Sequence, residues 1–297
     1  MRVVIPDDYQ DAVRTLDAFA KLAGHEVTIY NDTVTDLDAL VSRFEDADAL
    51  VLIRERTAID DALLARLPRL KLIAQTGRGT AHIDMDSCKR RGIHVATGTG
   101  SPYAPAELTW ALILAAMRRI PQEAAALRAG RWQTTLGTTL RGRTLSIWGY
   151  GKIGTLVAGF GRAFGMNVLV SRANADGHEH ASATDLFARA DVLSLHLKLT
   201  PETRGIVTAD DLARMKPASL LVNTARAELI APGALEAAVR AGRPAFAAVD
   251  VYESEPALTD PLVTMDNVLA TPHLGYVERD SYELYFGQAF DAVNAFA

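Results

Sequence analysis

The feature that most constrains this chain is its rhythm. Short apolar runs alternate with amphipathic stretches over the N-terminal third, and the alternation restarts from Thr144. In the first stretch, residues 3–5, 26–30, 49–53, 70–74 and 92–95 read as strands, and 9–23, 36–44, 60–67 and 85–91 as helices. In the second, 144–148, 167–171, 191–196, 219–223, 245–251 and 268–270 read as strands, and 152–164, 183–189, 209–214 and 233–241 as helices. Residues 276–297 read as one amphipathic helix. Strand–helix alternation of this kind implies parallel strands joined by right-handed crossovers, an α/β class with two doubly wound sheets. A length of 297 residues allows each sheet its own core.

Composition narrows the setting. With 49% hydrophobic and 23% charged residues the chain has the make-up of an ordinary globular protein. A net charge of −5 gives no electrostatic reason for a nucleic-acid partner or an anionic membrane. The longest apolar run, 110–117, falls far short of the roughly 18 residues that suggest a membrane span. The first residues lack the apolar core of a signal peptide. One cysteine, Cys88, excludes an internal disulfide and a cysteine-clustered metal site. The expectation is a cytoplasmic protein with no nucleic-acid, membrane or metal partner.

Between the two alternating stretches, residues 97–105 are dense in Gly, Pro, Ser and Thr and read as a hinge. The stretch 107–120 that follows is apolar on nearly every face. A helix without a polar face is buried, either in a homodimer interface or in the core of one chain.

Chemistry enters at Gly149-Tyr150-Gly151-Lys152-Ile153-Gly154, which follows one expected strand and opens an expected helix. That context makes G-x-G-x-x-G a dinucleotide-binding turn. Gly149 permits the tight turn, Gly151 lets backbone approach a pyrophosphate, and Gly154 lets the helix pack on the strand. The helix N-terminus then presents N–H groups and partial positive charge to the phosphates. The next strand should end, about 20 residues on, in an acid that binds the ribose hydroxyls. Here it ends in Ser171-Arg172. An arginine there can pair with a 2′-phosphate, so the cofactor expectation is NAD(P)H leaning to NADP(H). The alternative is a solvated arginine with no cofactor role.

Three further residues follow later strands: Arg226 after 219–223, Glu255 after 245–251 and His273 after 268–270. Ligands of open α/β sheets sit at the carboxyl ends of strands, which makes these residues candidates by position. With the glycine turn, the segments Asn223-Thr224-Ala225-Arg226, Asp250-Val251-Tyr252-Glu253-Ser254-Glu255-Pro256 and Thr271-Pro272-His273-Leu274-Gly275 resemble those of the D-isomer-specific 2-hydroxyacid dehydrogenase family, over nearly the whole chain. The resemblance implies that Arg226, Glu255 and His273 are the catalytic trio. It implies that Lys152, Ile153, Thr224, Ala225, Asp250 and Gly275 line the cofactor, with an acid capping the following loop as the alternative for Asp250. It implies that the loop around Arg78-Gly79 binds the substrate carboxylate. It also implies a Rossmann cofactor domain, 98–275, inserted into a flavodoxin-like substrate domain, 1–97 plus 276–297, with the cleft at the hinge.

The chemistry agrees with that family. Hydride transfer to a 2-keto acid leaves an alkoxide that needs a proton, and a histidine such as His273 is the residue type suited to supply it. A carboxylate at Glu255 favours the imidazolium and fixes its tautomer, while Arg226 can hold the substrate carboxylate and polarise the carbonyl. The expected function is reduction of a small 2-keto acid of the glyoxylate or hydroxypyruvate kind. A non-enzymatic NAD(H)-sensing, corepressor-like protein of the same fold is the alternative. A formate-type enzyme is disfavoured by Glu255, since those relatives pair the histidine with Gln. The short C-terminus also argues against a phosphoglycerate dehydrogenase with an added effector domain. The chain departs from the family's usual residues at Ala227 for Gly, Lys198 for Pro and Tyr276 for Gly. The polar stretch His178-Glu179-His180 reads as a solvated loop. If Arg172 clamps a 2′-phosphate, Arg172→Ala should shift the KM ratio toward NADH; a clear NADH preference already present and retained in the variant would remove that role.

Overall fold

The structure, a computed structural model, describes residues 1–171 and 179–297. The chain divides into two compact units, Met1–Ser101 with Val277–Ala297, and Pro102–Tyr276.

The first unit carries a five-stranded parallel sheet of β1 (Arg2–Ile5), β2 (Glu26–Ile29), β3 (Ala49–Leu52), β4 (Leu72–Gln75) and β5 (His94–Thr97), in the order β2-β1-β3-β4-β5. This is the flavodoxin-type order, with its reversal between β1 and β3. Strands β3 and β4 are buried at every position, as parallel strands covered on both faces must be, while the edge strand β2 is half open. Helices α1 (Leu37–Phe44), α2 (Asp61–Leu64) and α3 (Met85–Arg90) each start behind an aspartate, Asp36, Asp60 or Asp84, whose carboxylate accepts a first-turn N–H. Phe44, Leu50, Leu52, Ile59 and Ile73 fill the core beneath them.

The last helix of the chain, numbered α10 below, runs Arg279–Phe296 and returns to this unit. Phe290 on it is fully buried and meets Phe19 edge-on at 6.3 Å. The helix expected over 9–23 is absent. Two 3₁₀ segments, Val13–Thr15 and Asp17–Leu22, stand in its place with extended Leu16 between them. One nearby and one distant carboxylate take the N–H groups here. Asp8 accepts the N–H groups of Ala12 and Val13, both at 3.0 Å, and Glu283 on α10 accepts those of Asp17 and Ala18 at 2.7 and 3.0 Å.

The second unit opens with α4 (Tyr103–Met117) and α5 (Ile120–Arg128). One helix was expected over 107–120. It starts earlier and stops at Met117, because Arg119 turns into the left-handed region at φ 57. Burial of its guanidinium over the Phe246 ring, 3.6 Å from the centroid, accompanies that turn. The sheet follows: β6 (Thr144–Trp148), α6 (Lys152–Ala163), β7 (Asn167–Val170), β8 (Glu179–His180), α7 (Ala183–Arg189), β9 (Val192–Leu195), α8 (Ala209–Arg214), β10 (Leu220–Asn223), α9 (Ala234–Arg240), β11 (Phe246–Val249) and β12 (Val268–Ala270). Its order is β12-β11-β10-β9-β6-β7-β8, the dinucleotide-fold order with one strand added. Neighbouring residues on its strands feed opposite cores: Leu193, Leu221 and Ala247 one, Val192, Val222 and Ala248 the other. Glu179 and His180, expected in a loop, form the short edge strand β8 on β7, and Arg189 pairs with Glu179. His178 lies outside the described residues.

Among the described residues, no helix is long and apolar enough to cross a membrane. Phe290→Ala should destabilise the first unit by about 3–5 kcal/mol, the usual cost of a large cavity in a tight core. Urea unfolding checks it; a loss below about 1 kcal/mol would mean that the Phe19–Phe290 contact is loosely packed.

Candidate active site

The glycine turn lies where the second sheet reverses its order, between β6 and β9. Gly149 has φ +108, and a Cβ there would overlap the backbone of His196 at the end of β9. A Cβ on Gly154 would overlap the carbonyl oxygen of Gly149. Gly151 is the N-cap of α6, and a Cβ there would enter open space. Among the described residues no side chain caps this helix and no acid lies in its first turn, so no side chain takes its leading N–H groups, at Lys152 and Ile153. The turn therefore fits a pyrophosphate: two glycines are demanded by close backbone contact and the third leaves room. Ser171, at the tip of β7, accepts the Gly149 N–H at 3.3 Å and steadies the turn from below. Arg172 lies outside the described residues. His196 contacts Ser194 Oγ through Nε2 at 2.9 Å, and burial pushes its imidazole down to about 4, so it is neutral at neutral pH.

Strands β10, β11 and β12 are adjacent and parallel, so the loops carrying the trio leave one edge of the sheet. Sequence reasoning missed Asn223, the buried last residue of β10. Its Nδ2 donates to the Arg226 carbonyl at 2.9 Å and its Oδ1 accepts the Ala225 N–H at 3.1 Å. A buried amide at a strand end is the signal that could have found it. The two bonds shape the turn on which Arg226 stands, and Arg226 Nη1 donates to the Ala225 carbonyl at 2.7 Å. The Thr224 hydroxyl is tied to Thr109 on α4 at 2.7 Å.

His273 and Glu255 meet at 2.7 Å between Nδ1 and Oε2. The other carboxylate oxygen, Glu255 Oε1, accepts the Tyr252 N–H at 3.1 Å. With Nδ1 committed to Glu255, Nε2 is the nitrogen left to meet a substrate. The ring of Tyr276 stands edge-on to that of His273 at 5.4 Å, so the departure from glycine puts an aromatic beside the imidazole.

His273 has φ 51, a left-handed conformation that a non-glycine residue adopts at some cost. Asp250 holds it there. This carboxylate is fully buried and accepts the Thr271 hydroxyl at 2.6 Å, the Leu274 N–H at 2.7 Å and the Gly275 N–H at 2.9 Å. Burial pushes its carboxyl up, opposed by these bonds and by His273. Both oxygens are thus engaged with the histidine loop, the geometry of the loop-capping alternative for Asp250. The Gly275 N–H is likewise committed to Asp250. Tyr252 completes the brace, its hydroxyl donating to the Thr271 carbonyl at 3.0 Å.

Arg78 and Gly79 belong to the first unit, in the loop after β4. Among the described residues, the backbone N–H groups of Arg78 and Gly79 donate no hydrogen bond. Such a pair can receive an anion. Sequence reasoning missed what lies over this loop: Arg54 against Gly77 and Glu55 against Gly79.

Comparison with known proteins places these features. The family model described as D-isomer specific 2-hydroxyacid dehydrogenase, NAD binding domain, matches residues 110–275. A glyoxylate reductase of Aeropyrum pernix is 40% identical over 263 residues, covering 82% of this chain and 78% of its own. A D-3-phosphoglycerate dehydrogenase of Mycobacterium leprae is 39% identical over 272 residues, 86% of this chain; the chain spans about half, 51%, of that relative's length. A phosphoglycerate oxidoreductase structure from Vibrio cholerae superposes with a TM-score of 0.97 at 54% identity, over 100% of this chain and 98% of that one. With the NAD-binding model matched across the unit that carries both the glycine turn and the His273–Glu255 pair, the chain belongs to the D-isomer-specific 2-hydroxyacid dehydrogenases.

Proposed function

We propose that this chain reduces a small 2-keto acid, of the glyoxylate or hydroxypyruvate kind, to the D-2-hydroxy acid with NAD(P)H. The observation that carries it is the 2.7 Å His273–Glu255 pair, on the same sheet as a glycine turn shaped for a pyrophosphate. In this reading residues 98–275 hold the cofactor, and 1–97 with 276–297 the substrate. Gly149, Gly151, Lys152, Ile153 and Gly154 cradle the phosphates, and Ser171, Thr224, Ala225 and Gly275 flank the cofactor. Arg172, with no acid at the end of β7, favours NADP(H). A reduced nicotinamide bound at this turn supplies the hydride.

The chain's own residues do the rest. Arg226 binds the substrate carboxylate and polarises the C2 carbonyl as a fixed cation. The N–H groups of Arg78 and Gly79 are substrate-carboxylate donors in this reading. Protonated His273 gives its Nε2 proton to the C2 oxygen as negative charge builds there, and Glu255 stabilises the imidazolium through Nδ1. Asp250 and Tyr252 hold the histidine loop in its strained form and act as positioning residues. The free, buried thiol of Cys88 suits a reducing compartment such as the cytoplasm.

A panel of 2-keto acids followed at the nicotinamide absorbance tests this reading. His273→Ala should lower kcat/KM by about 10²-fold or more. Cofactor binding without turnover of any panel member would favour the sensing alternative instead.

A homodimer belongs to the same proposal. In the single chain, Leu108 and Leu114 of α4 are only partly buried, and Leu127, Trp132 and Leu136 beyond it are exposed, Leu136 at 97%. Their backbone is not loose: Glu123 accepts hydrogen bonds from Thr134 N–H at 3.0 Å and from the hydroxyls of Thr134 and Thr135 at 2.8 and 2.7 Å. An anchored arm bearing exposed apolar side chains marks an association surface. Light scattering should give twice the 32.0 kDa chain mass, falling toward one chain in Leu136→Asp with Trp132→Ser. A monomeric unaltered protein would discard the dimer.

A further inference from the structure

The His273 imidazole is held through its main chain and through one of its two nitrogens. Asp250 fixes the backbone that follows it, at the Leu274 and Gly275 N–H groups, and Glu255 takes Nδ1 at 2.7 Å. A single bond at one nitrogen leaves the ring able to rock about that bond. The last torsion of a histidine side chain has a broad well, so packing must narrow it. Whether Nε2 keeps one direction therefore depends on what lies against the ring.

Tyr276 lies against it. The two ring centroids are 5.4 Å apart and the planes meet at 75°, the edge-to-face arrangement that aromatic pairs favour. Tyr276 is 6% exposed, whereas the His273 side chain keeps 22% of its surface open. The tyrosine is the fixed member of the pair. Its place is set by the carboxylate that holds the histidine loop, because it directly follows Gly275, whose N–H donates to Asp250 at 2.9 Å. Gly275 is packed closely as well: a Cβ there would stand 3.3 Å from Asp250 Oδ2 and 3.6 Å from the Pro105 Cβ. Asp250 thus anchors the short segment between the two rings. Tyr276 is the last residue of the second unit, so the pair forms within that unit.

We propose that Tyr276 is a positioning residue whose ring holds the His273 imidazole in the orientation chosen by Glu255, so that Nε2 keeps its aim at the C2 oxygen of the substrate. The inference rests on the reading of His273 as the proton donor. It gives a purpose to the departure from glycine at this position. A glycine would put no ring beside the imidazole, and the orientation would then rest on Glu255. The role belongs to the aromatic ring, so Tyr276→Phe is the conservative variant and Tyr276→Leu the disruptive one. Leucine removes the ring and, unlike glycine, does not loosen the backbone.

Proton NMR of the whole chain, without substrate, reads the imidazole directly. The Nδ1 proton shared with Glu255 should give a low-field line, identified by its loss in His273→Ala. The line should persist in Tyr276→Phe and exchange with water about three- to tenfold faster in Tyr276→Leu, in keeping with the strength of an edge-to-face pair. With a 2-keto acid and reduced cofactor, kcat should fall by about the same factor in Tyr276→Leu, with KM and cofactor affinity little changed, and be rescued in Tyr276→Phe. A thermal melt confirms that each variant is folded; if Tyr276→Leu is not, Tyr276→Met serves in its place. Absence of the line from the unaltered protein overturns the assignment, as does an unchanged line or an unchanged kcat in Tyr276→Leu. A loss in Tyr276→Phe as large as in Tyr276→Leu also overturns it, by giving the role to the hydroxyl. A line that behaves as expected in a protein that turns over no 2-keto acid would fault the proposed reaction and leave the hold on the imidazole standing.

Discussion

The buried carboxylate of Asp250 is the interaction on which the rest of the second unit's chemistry depends. It stands at the end of β11, fully inaccessible, and collects three donors from the loop that follows β12. Removed from water, it needs those donors. The loop in turn needs the carboxylate, because it carries His273 in a left-handed backbone that an imidazole-bearing residue does not choose by itself. The desolvation of one acid and the strain of one histidine are thereby balanced against each other, and the result is an imidazole held at 2.7 Å from Glu255.

The same logic of close approach recurs at the carboxyl edge of both sheets. At the reversal of the second sheet, Gly149 and Gly154 are glycines because the backbones of His196 and Gly149 itself occupy the space a side chain would take. In the first unit, the Glu55 carboxylate lies where a side chain on Gly79 would begin. Parallel strands end together, and their loops crowd at that edge; where loops touch, small residues are required and donors are left over for a ligand. Among the described residues, the N–H groups at Arg78 and Gly79, and those that begin α6, are what remains.

Much of this was legible in the residues. The runs 49–53, 70–74 and 219–223 are apolar at their centres, which announces strands covered on both faces, and β3, β4 and β10 are such strands. The glycine spacing placed the turn between a strand and a helix, where it is found. What local reading missed lies where a distant carboxylate or ring replaces a local preference. Residues 9–23 carry a helical pattern, yet Glu283, far along the chain, takes the N–H groups of Asp17 and Ala18. The apolar stretch 107–120 has no breaker at Arg119, yet the guanidinium turns onto Phe246 and ends the helix. Asn223, a partner of both Ala225 and Arg226, looks in sequence like the polar end of a strand and nothing more.

The sequence by itself determined the class of fold and the glycine turn, which follow from period and spacing and are local, and its resemblance to a known family singled out His273 and Glu255, which meet at 2.7 Å. Only the tertiary structure decided that Asp250 turns inward to hold the histidine loop, that Asn223 shapes the stand of Arg226, and that Arg54 and Glu55 lie over opposite ends of one glycine loop. The reason is that a carboxylate or amide has no fixed partner along its own chain. Which donors it reaches is set by how strands far apart in sequence are placed side by side, and by the cost of leaving a buried polar group without one.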